Sequence, residues 1–275
     1  MAVDVLSNLL DSLKHFSRNF VSYLINITIF LAIAGFTFFI IMFWVYSVLT
    51  SHGINVIKGG MGLCLIAPLS ILFLLIVLIW FSALFLEYIK RANSDPKVSI
   101  IDILREYISI DFLKGRLIKY VVNFFALYIA ILIMSIFIAL IFSTITVPFM
   151  SFINVDMIYM LVIEEIVVFS IIIPWMILGS FSILDNKPLS RTLSFLWFSF
   201  TKDGILSGFL YAVYAFILST IILNIKYYLG VLQSPVISMI VQILAFFIYF
   251  VLIYPVAIDY FYRIYLYLTK GGVSP

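Results

Sequence analysis

Two adjacent acidic residues interrupt a long apolar stretch and are the strongest candidates for chemistry in this chain. Glu164 and Glu165 lie in the segment MLVIEEIVVFSIII. Placing a carboxylate inside a bilayer costs free energy, and two neighbouring carboxylates repel each other and share protonation. They are therefore either a cation or proton site lining a cavity, or residues near the external interface of a helix that begins after them.

A second polar group lies near the C-terminus, where Asp259 and Arg263 are four residues apart. This spacing places both side chains on one helix face and predicts an interfacial ion pair. Glu87 lies at a comparable position in an earlier apolar stretch. The aromatic residues that surround the pair are typical of a membrane-interface belt; they are Tyr260, Phe261, Tyr262, Tyr265 and Tyr267.

The remaining residue types do not form a recognisable catalytic or metal site. His15, His52 and the single Cys64 lack metal-ligand spacing, and the two histidines are predicted on opposite sides of a membrane. Nucleophile-elbow, phosphate-loop and metalloprotease motifs are absent from the sequence. We therefore expect a non-enzymatic protein without a cofactor or a bound metal.

The elements that carry these residues are predicted to be transmembrane helices. Of the 275 residues, 65% are hydrophobic and only 11% are charged, and a soluble fold could not cover so much apolar surface. Spanning helices need about 20 apolar residues each. The sequence predicts an all-α, polytopic membrane domain over residues 1–275 with about six spans, at 20–49, 61–89, 117–147, 157–183, 205–229 and 235–268.

Basic residues predict the orientation of these spans. Only Lys58 and Lys226 fall on one side, and the positive-inside rule assigns the opposite side to the cytoplasm. Both termini are therefore predicted to lie in the cytoplasm of a multi-pass cell-membrane protein. The bases on the predicted cytoplasmic side are Lys14, Arg18, Lys90, Arg91, Lys97, Arg105, Lys114, Arg116, Lys119, Lys187, Arg191, Lys202, Arg263 and Lys270. They either set topology and contact lipid headgroups or form a docking surface for a protein or nucleic-acid partner.

Similar segments precede the first, third and fifth spans and predict three tandem units, at 4–95, 97–186 and 188–270. Each unit would contain one interfacial amphipathic helix and one transmembrane hairpin. Apolar residues recur at helical spacing in the first two segments: Leu6, Leu9, Leu10, Leu13, Phe16 and Phe20, then Ile100, Ile101, Leu104, Tyr107 and Ile108. Aligning Leu10, Leu104 and Leu193 gives offsets of 94 and 89 residues.

Small residues and prolines add two structural expectations. Gly204 and Gly208 form a GxxxG motif, which permits close packing between membrane helices. Pro174 and Pro255 lie inside apolar stretches and predict bent helices.

The segment from Ser182 through Leu189 to Lys202-Asp203-Gly204, followed by the last hairpin, carries a family resemblance. Over residues 100–270 the chain resembles a prokaryotic group of six-span membrane domains, which includes the membrane domain attached to some glycerophosphodiester phosphodiesterases. The resemblance implies a membrane module without an assigned active site, and the catalytic domain of the fused members is absent here. A weaker similarity, in size and span count alone, is to the membrane subunit of crenarchaeal DNA-import machinery.

Together these observations favour a scaffold or subunit of a membrane assembly, with the lipid bilayer and membrane or cytoplasmic proteins as partners. The alternative is a transporter or channel component that uses Glu164 and Glu165. A conduit of a DNA-import system is a special case of this alternative, and only that case involves nucleic acid as a partner.

Overall fold

A computed structural model describes residues 4–59, 61–109, 112, 115–153, 157–214, 251 and 253–270. The described part is helical and contains no strand, which confirms the all-α prediction for these residues. The helices are α1 (Val5–Arg18), α2 (Phe20–Gly59), α3 (Met61–Ser94), α4 (Ile100–Ile108), α5 (Leu117–Ile153), α6 (Met157–Leu184), α7 (Leu189–Ser199), α8 (described over 202–214) and α9 (Tyr254–Lys270).

Four of these helices contain a segment long and apolar enough to cross a membrane, and the chain is a membrane protein. The segments are Phe20–Ile41 in α2, Leu72–Ser94 in α3, Leu117–Thr144 in α5 and Ile166–Leu184 in α6. They overlap the first four predicted spans, although the second and fourth segments begin 11 and 9 residues later than predicted. The predicted fifth and sixth spans are described only over 205–214 and at 251 and 253–268, so most of the fifth and about half of the sixth lie outside the described residues.

Helix α2 differs from the prediction at its C-terminal end. An external loop was expected after residue 49, but the helix continues to Gly59, and α3 begins at Met61. The apolar run ends before the helix does, because hydrogen bonding within a helix continues through polar residues such as Ser51 and His52.

One compact unit comprises residues 21–122 and contains α2, α3 and α4. Helix α4 packs on α3, and its start is fixed to α2 through Asn26. The Asn26 Oδ1 atom accepts a hydrogen bond of 2.9 Å from the Ile100 backbone N–H, and Ser22 donates one of 2.8 Å to the Pro96 carbonyl. The first bond satisfies a backbone N–H that the start of α4 leaves unpaired, and the second joins the loop before α4 to α2.

The other compact unit comprises residues 1–20 and 123–275. Within it α7 packs on α6, α9 packs on α6, and the N-terminal α1 packs on the C-terminal α9. Each short helix thus lies on a longer helix in its own unit. The turn between α6 and α7 contains Asn186, whose positive φ of 57° is tolerated by asparagine better than by most residues.

Side-chain caps start the first two short helices. Asp4 accepts a hydrogen bond of 3.0 Å from the Ser7 backbone N–H at the start of α1. Ser99 accepts one of 3.2 Å from the Ile101 N–H at the start of α4. Such caps fix where a helix begins, and here they position the short helices relative to the chain that enters them.

Candidate functional site

The C-terminal end of α3 carries a charge network built around a nearly buried carboxylate. The Glu87 side chain is only 11% exposed, and its Oε1 atom accepts a hydrogen bond of 2.8 Å from Arg91 Nε. Arg91 Nη2 also lies 2.8 Å from Glu106 Oε2 on α4, and Lys90 Nζ lies 3.5 Å from Glu87 Oε2. The guanidinium therefore bridges an acid on α3 and an acid on α4, and it links the two helices.

Aromatic residues close the apolar side of this network. The rings of Tyr107 and Phe112 stack with centroids 4.3 Å apart, and the Tyr120 ring meets Phe112 edge-on. Burial of Tyr107, and then the nearby negative charge of Glu87, raise the pKa of its hydroxyl far above the ordinary value.

Helix α9 repeats the arrangement of acid, tyrosine and arginine found at the end of α3. Arg263 Nε lies 3.1 Å from Asp259 Oδ2, so the two residues that sequence spacing placed on one face form an ion pair. The Asp259 side chain is only 3% exposed. Glu87-Tyr88 followed by Arg91 and Asp259-Tyr260 followed by Arg263 share the same spacing. Sequence reasoning missed the first pair, although its i, i+4 spacing was visible.

The aromatic residues of α9 do not form a lipid-facing belt, and the sequence-based interpretation was wrong for most of them. Tyr260, Phe261, Tyr262 and Tyr265 are buried in the protein. The Phe181 ring lies 4.8 Å from Tyr262 and 5.8 Å from Tyr265, and the Tyr265 hydroxyl donates a hydrogen bond of 2.8 Å to Asp185 Oδ2. The aromatic character of this segment reflects packing between α9 and α6.

The three short helices α1, α4 and α7 bury one face and expose apolar residues beside it. The buried residues are Val5, Ser12 and Phe16 on α1, Ile100, Ile103 and Tyr107 on α4, and Thr192, Phe195 and Ser199 on α7. The sequence-predicted apolar residues are divided between this buried face and an exposed one, where Leu6, Leu10, Ile101 and Ile108 lie. Ile103, which the prediction omitted, is fully buried.

Burial aligns the three short helices in a common register. Ser12, Ile103 and Phe195 are buried, as are Phe16, Tyr107 and Ser199, and both sets are separated by 91 and 92 residues. The same offsets align Asp11 and Lys14, whose side chains lie 3.9 Å apart, with Asp102 and Arg105 at the same distance. The burial register differs from the predicted offsets of 94 and 89, because Leu10 and Leu193 correspond to Ile101 rather than Leu104.

An open apolar groove of about 430 Å³ lies between α6 and α8. It is lined by Ile166, Val167, Ser170, Ile171, Ile205 and Phe209. The helices approach closely at one end of the groove, since a Cβ atom on Gly208 would overlap the backbone carbonyl of Ser170. Gly204, the other member of the GxxxG motif, instead packs against the backbone of Phe198 and Ser199 at the end of α7.

The paired glutamates lie partly outside the described structure. The backbone of Glu164 and Glu165 belongs to α6, but their side chains are not among the described ones, so the predicted polar site stays a prediction. Three hydroxyls of α5 and α6 bond within their own helices. Ser143, Thr144 and Ser170 each donate a hydrogen bond to the carbonyl four residues back.

Among the residues whose positions the structure describes, no three His, Cys, Asp or Glu side chains gather where they could share a metal ion. Comparison with protein-family models, with curated proteins and with solved structures finds no match for this chain. The suggested similarity to six-span membrane domains therefore stays a prediction from residues 100–270.

Proposed function

We propose that this chain is a non-enzymatic integral membrane protein that serves as a scaffold or subunit of a membrane assembly. In this proposal it crosses the membrane six times and keeps both termini in the cytoplasm. The observation that carries it is that each short helix packs on a longer helix: α1 on α9, α4 on α3 and α7 on α6. Such fixed helices offer partners a preorganised surface, which lowers the entropic cost of binding.

The common burial register supports a chain built from three tandem units, at 4–95, 97–186 and 188–270. Each unit would supply one short helix and two spans. The packing of α4 on α3 and of α7 on α6 joins a short helix to the span that precedes it. Helix α1 packs on α9, at the end of the last unit.

The polar faces of the short helices would be the docking surface for a cytoplasmic or membrane protein. On α1 this face carries Asp11 and Arg18, on α4 it carries Asp102, and the exposed Lys187 lies just before α7. Asp11 and Asp102 make ion pairs that are exposed and long, at 3.9 Å, so these pairs contribute little to stability and both carboxylates are available to a partner's charges.

The test extracts the tagged chain from its native membrane with a nanodisc-forming polymer and measures the mass of the recovered particle. We expect an assembly larger than one chain, and we expect Arg18→Glu with Lys187→Glu to reduce it to a single chain. The matched control, Lys58→Glu with Lys226→Glu, changes two charges on the predicted external side and leaves the assembly intact. A lone wild-type chain, or equal loss in both variants, would contradict the proposal.

The alternative is a transporter or channel component, and the position of the apolar groove favours it. The groove begins at Ile166, directly after Glu165 in α6, so the acids and the groove share one segment of this helix. Ion flux into proteoliposomes tests this alternative. Flux that falls in Glu164→Gln with Glu165→Gln, but not in the control Asp11→Asn with Asp102→Asn, would support it, whereas absence of flux would count against it. A DNA conduit would in addition require a neighbouring gene for a translocation ATPase.

A further inference from the structure

The short helices α1, α4 and α7 each carry an exposed apolar edge beside the buried face. We define this edge as Leu6 and Leu10 on α1, Ile101 and Ile108 on α4, and Leu193 and Trp197 on α7 with Phe200 directly after it. Leu10, Ile101 and Leu193 occupy the same register position and are 48%, 40% and 36% exposed. Because successive residues of a helix are about 100° apart, each of the three lies at the same angle from the buried face of its helix.

The register position of Trp197 carries, in all three helices, residue types found at membrane surfaces. Lys14, Arg105 and Trp197 are related by the same offsets of 91 and 92 residues. Trp197 is 74% exposed, the largest exposed fraction among the large hydrophobic side chains whose positions are described. Tryptophan concentrates at the bilayer interface, and lysine and arginine extend from an apolar stem to place their charge at the headgroups.

The dimensions and the charge of the edge favour lipid over a protein as its occupant. The edge is two or three side chains on each helix, whereas a stable protein interface covers about 800 Å² on each partner. A bilayer surface has no minimum contact area, because lipids pack around any apolar side chain. The bordering cations Lys14 and Arg105 complement the negative charge of anionic phospholipids.

We propose that α1, α4 and α7 bury their exposed apolar edges in the bilayer interface and that Lys14 and Arg105 bind the headgroups of anionic phospholipids. Trp197 lies at the level of the glycerol backbone in this arrangement. The polar faces of the same helices remain in water. This inference goes beyond the proposed function, because lipid binding at the edge requires no protein partner and no six-span topology.

The depth of Trp197 is measured in the full chain reconstituted with brominated phospholipids. Subtracting the emission of Trp197→Phe from that of the wild type isolates Trp197 from Trp44, Trp80 and Trp175. We expect shallow bromines to quench this difference signal several-fold more than bromines near the acyl-chain ends, and aqueous iodide to quench it weakly. Strong iodide quenching with no effect of brominated lipid would overturn the proposal.

The charge of the lipid is tested by thermal unfolding in nanodiscs of phosphatidylcholine alone or with one third phosphatidylglycerol. We expect the anionic lipid to raise the Tm of the wild type, and Lys14→Gln with Arg105→Gln to lose at least half of that increase. Lys14→Arg with Arg105→Lys retains it. Lys58→Gln with Lys226→Gln is the matched control for the loss of two positive charges.

Two results would refute this part of the proposal. The first is a Tm that does not respond to phosphatidylglycerol. The second is an equal loss of the increase in the control variant, which would show that the lipid responds to net charge and not to these helices. A Trp197 emission that changes with the number of chains per nanodisc, and not with lipid bromination, would assign the edge to a second copy and would also overturn it.

Discussion

At the scale of single residues, the chain places two acids at buried positions and pairs each with an arginine one turn later. Glu87 and Asp259 are nearly buried, and transfer of an unpaired carboxylate from water to such a position is costly. Arg91 and Arg263 offset part of that cost through hydrogen bonds of 2.8 and 3.1 Å. Because the acid–tyrosine–arginine spacing is shared, α3 and α9 each pair a nearly buried acid with an arginine four residues later.

In the network around Glu87, removal of Arg91 should lower the free energy of unfolding more than removal of Glu106 does. Arg91→Met leaves Glu87 with only the longer contact to Lys90, and we expect it to lower the free energy of unfolding by about 2 kcal/mol, less than a fully buried pair would lose because Arg91 is partly exposed. Glu106→Gln removes a half-exposed partner and costs less than about 1 kcal/mol. Unfolding in mixed detergent micelles measures both.

A double variant provides the control for this prediction. Glu87→Gln with Arg91→Met removes both charges, so it should be more stable than Arg91→Met alone. If the double variant is instead less stable by the sum of the two single effects, the two side chains do not interact as the 2.8 Å contact implies.

The ion pairs also show which contacts can be predicted from sequence spacing and which cannot. The i, i+4 pattern was sufficient to predict the pair of Asp259 and Arg263, because both residues lie on one helix. The bond from Arg91 to Glu106 joins α3 to α4 across a turn, and no periodicity contains that information. The environment of the Glu164 and Glu165 side chains likewise depends on tertiary packing that neither the sequence nor the described residues supply.

At the scale of elements, the sequence predicts which helices exist better than it predicts which face they bury. Apolar spacing identified α1 and α4 as helices but assigned most of their apolar residues to one stripe. The structure divides that stripe, and it uses small polar residues such as Ser12 and Thr192 on the packed faces. Small residues permit close helix approach, so burial in a membrane protein does not follow hydrophobicity alone.

Close approach at Gly208 predicts a position-specific effect of one methyl group. In Gly208→Ala the new Cβ atom would overlap the Ser170 backbone, so α6 and α8 must separate, and we expect a loss of about 1–3 kcal/mol in stability. Gly35→Ala is the matched control, since no atom lies within 4 Å of its Cβ position. That variant should gain about 0.5–1 kcal/mol from the higher helix propensity of alanine. A similar change in both variants would show that α6 and α8 do not pack as described.

The packing of α1 on α9 predicts that the N-terminal helix protects the C-terminal one. Phe16 is buried on α1, and Phe16→Ala should weaken this contact by about 3 kcal/mol. We expect faster backbone hydrogen exchange in α9, measured by mass spectrometry of nanodisc-embedded protein. Leu6→Ala changes an exposed residue of the same helix and should leave α9 unchanged. Exchange in α4, which belongs to the other compact unit, should be unaffected by either variant.

At the scale of the whole molecule, composition was sufficient to predict an all-α membrane protein. The first four predicted spans match helices because a run of about 20 apolar residues can satisfy its backbone in lipid only as a helix or as part of a closed barrel. The same rule cannot fix where a helix ends, since the helix α2 passes the end of its apolar run and continues to Gly59. The number of spans and the existence of three repeats stay predictions.

The orientation proposed for the whole chain rests on basic residues on one predicted side, and cysteine labelling tests it. In a Cys64→Ala background, Lys58→Cys should react with a membrane-impermeant maleimide added to intact cells. Lys97→Cys and Lys187→Cys should react only after the membrane is permeabilised, because both follow the C-terminal ends of apolar helices that would terminate in the cytoplasm. Labelling of Lys97→Cys or Lys187→Cys from outside would invert the predicted topology. It would also place the exposed apolar edges of the short helices at the outer leaflet.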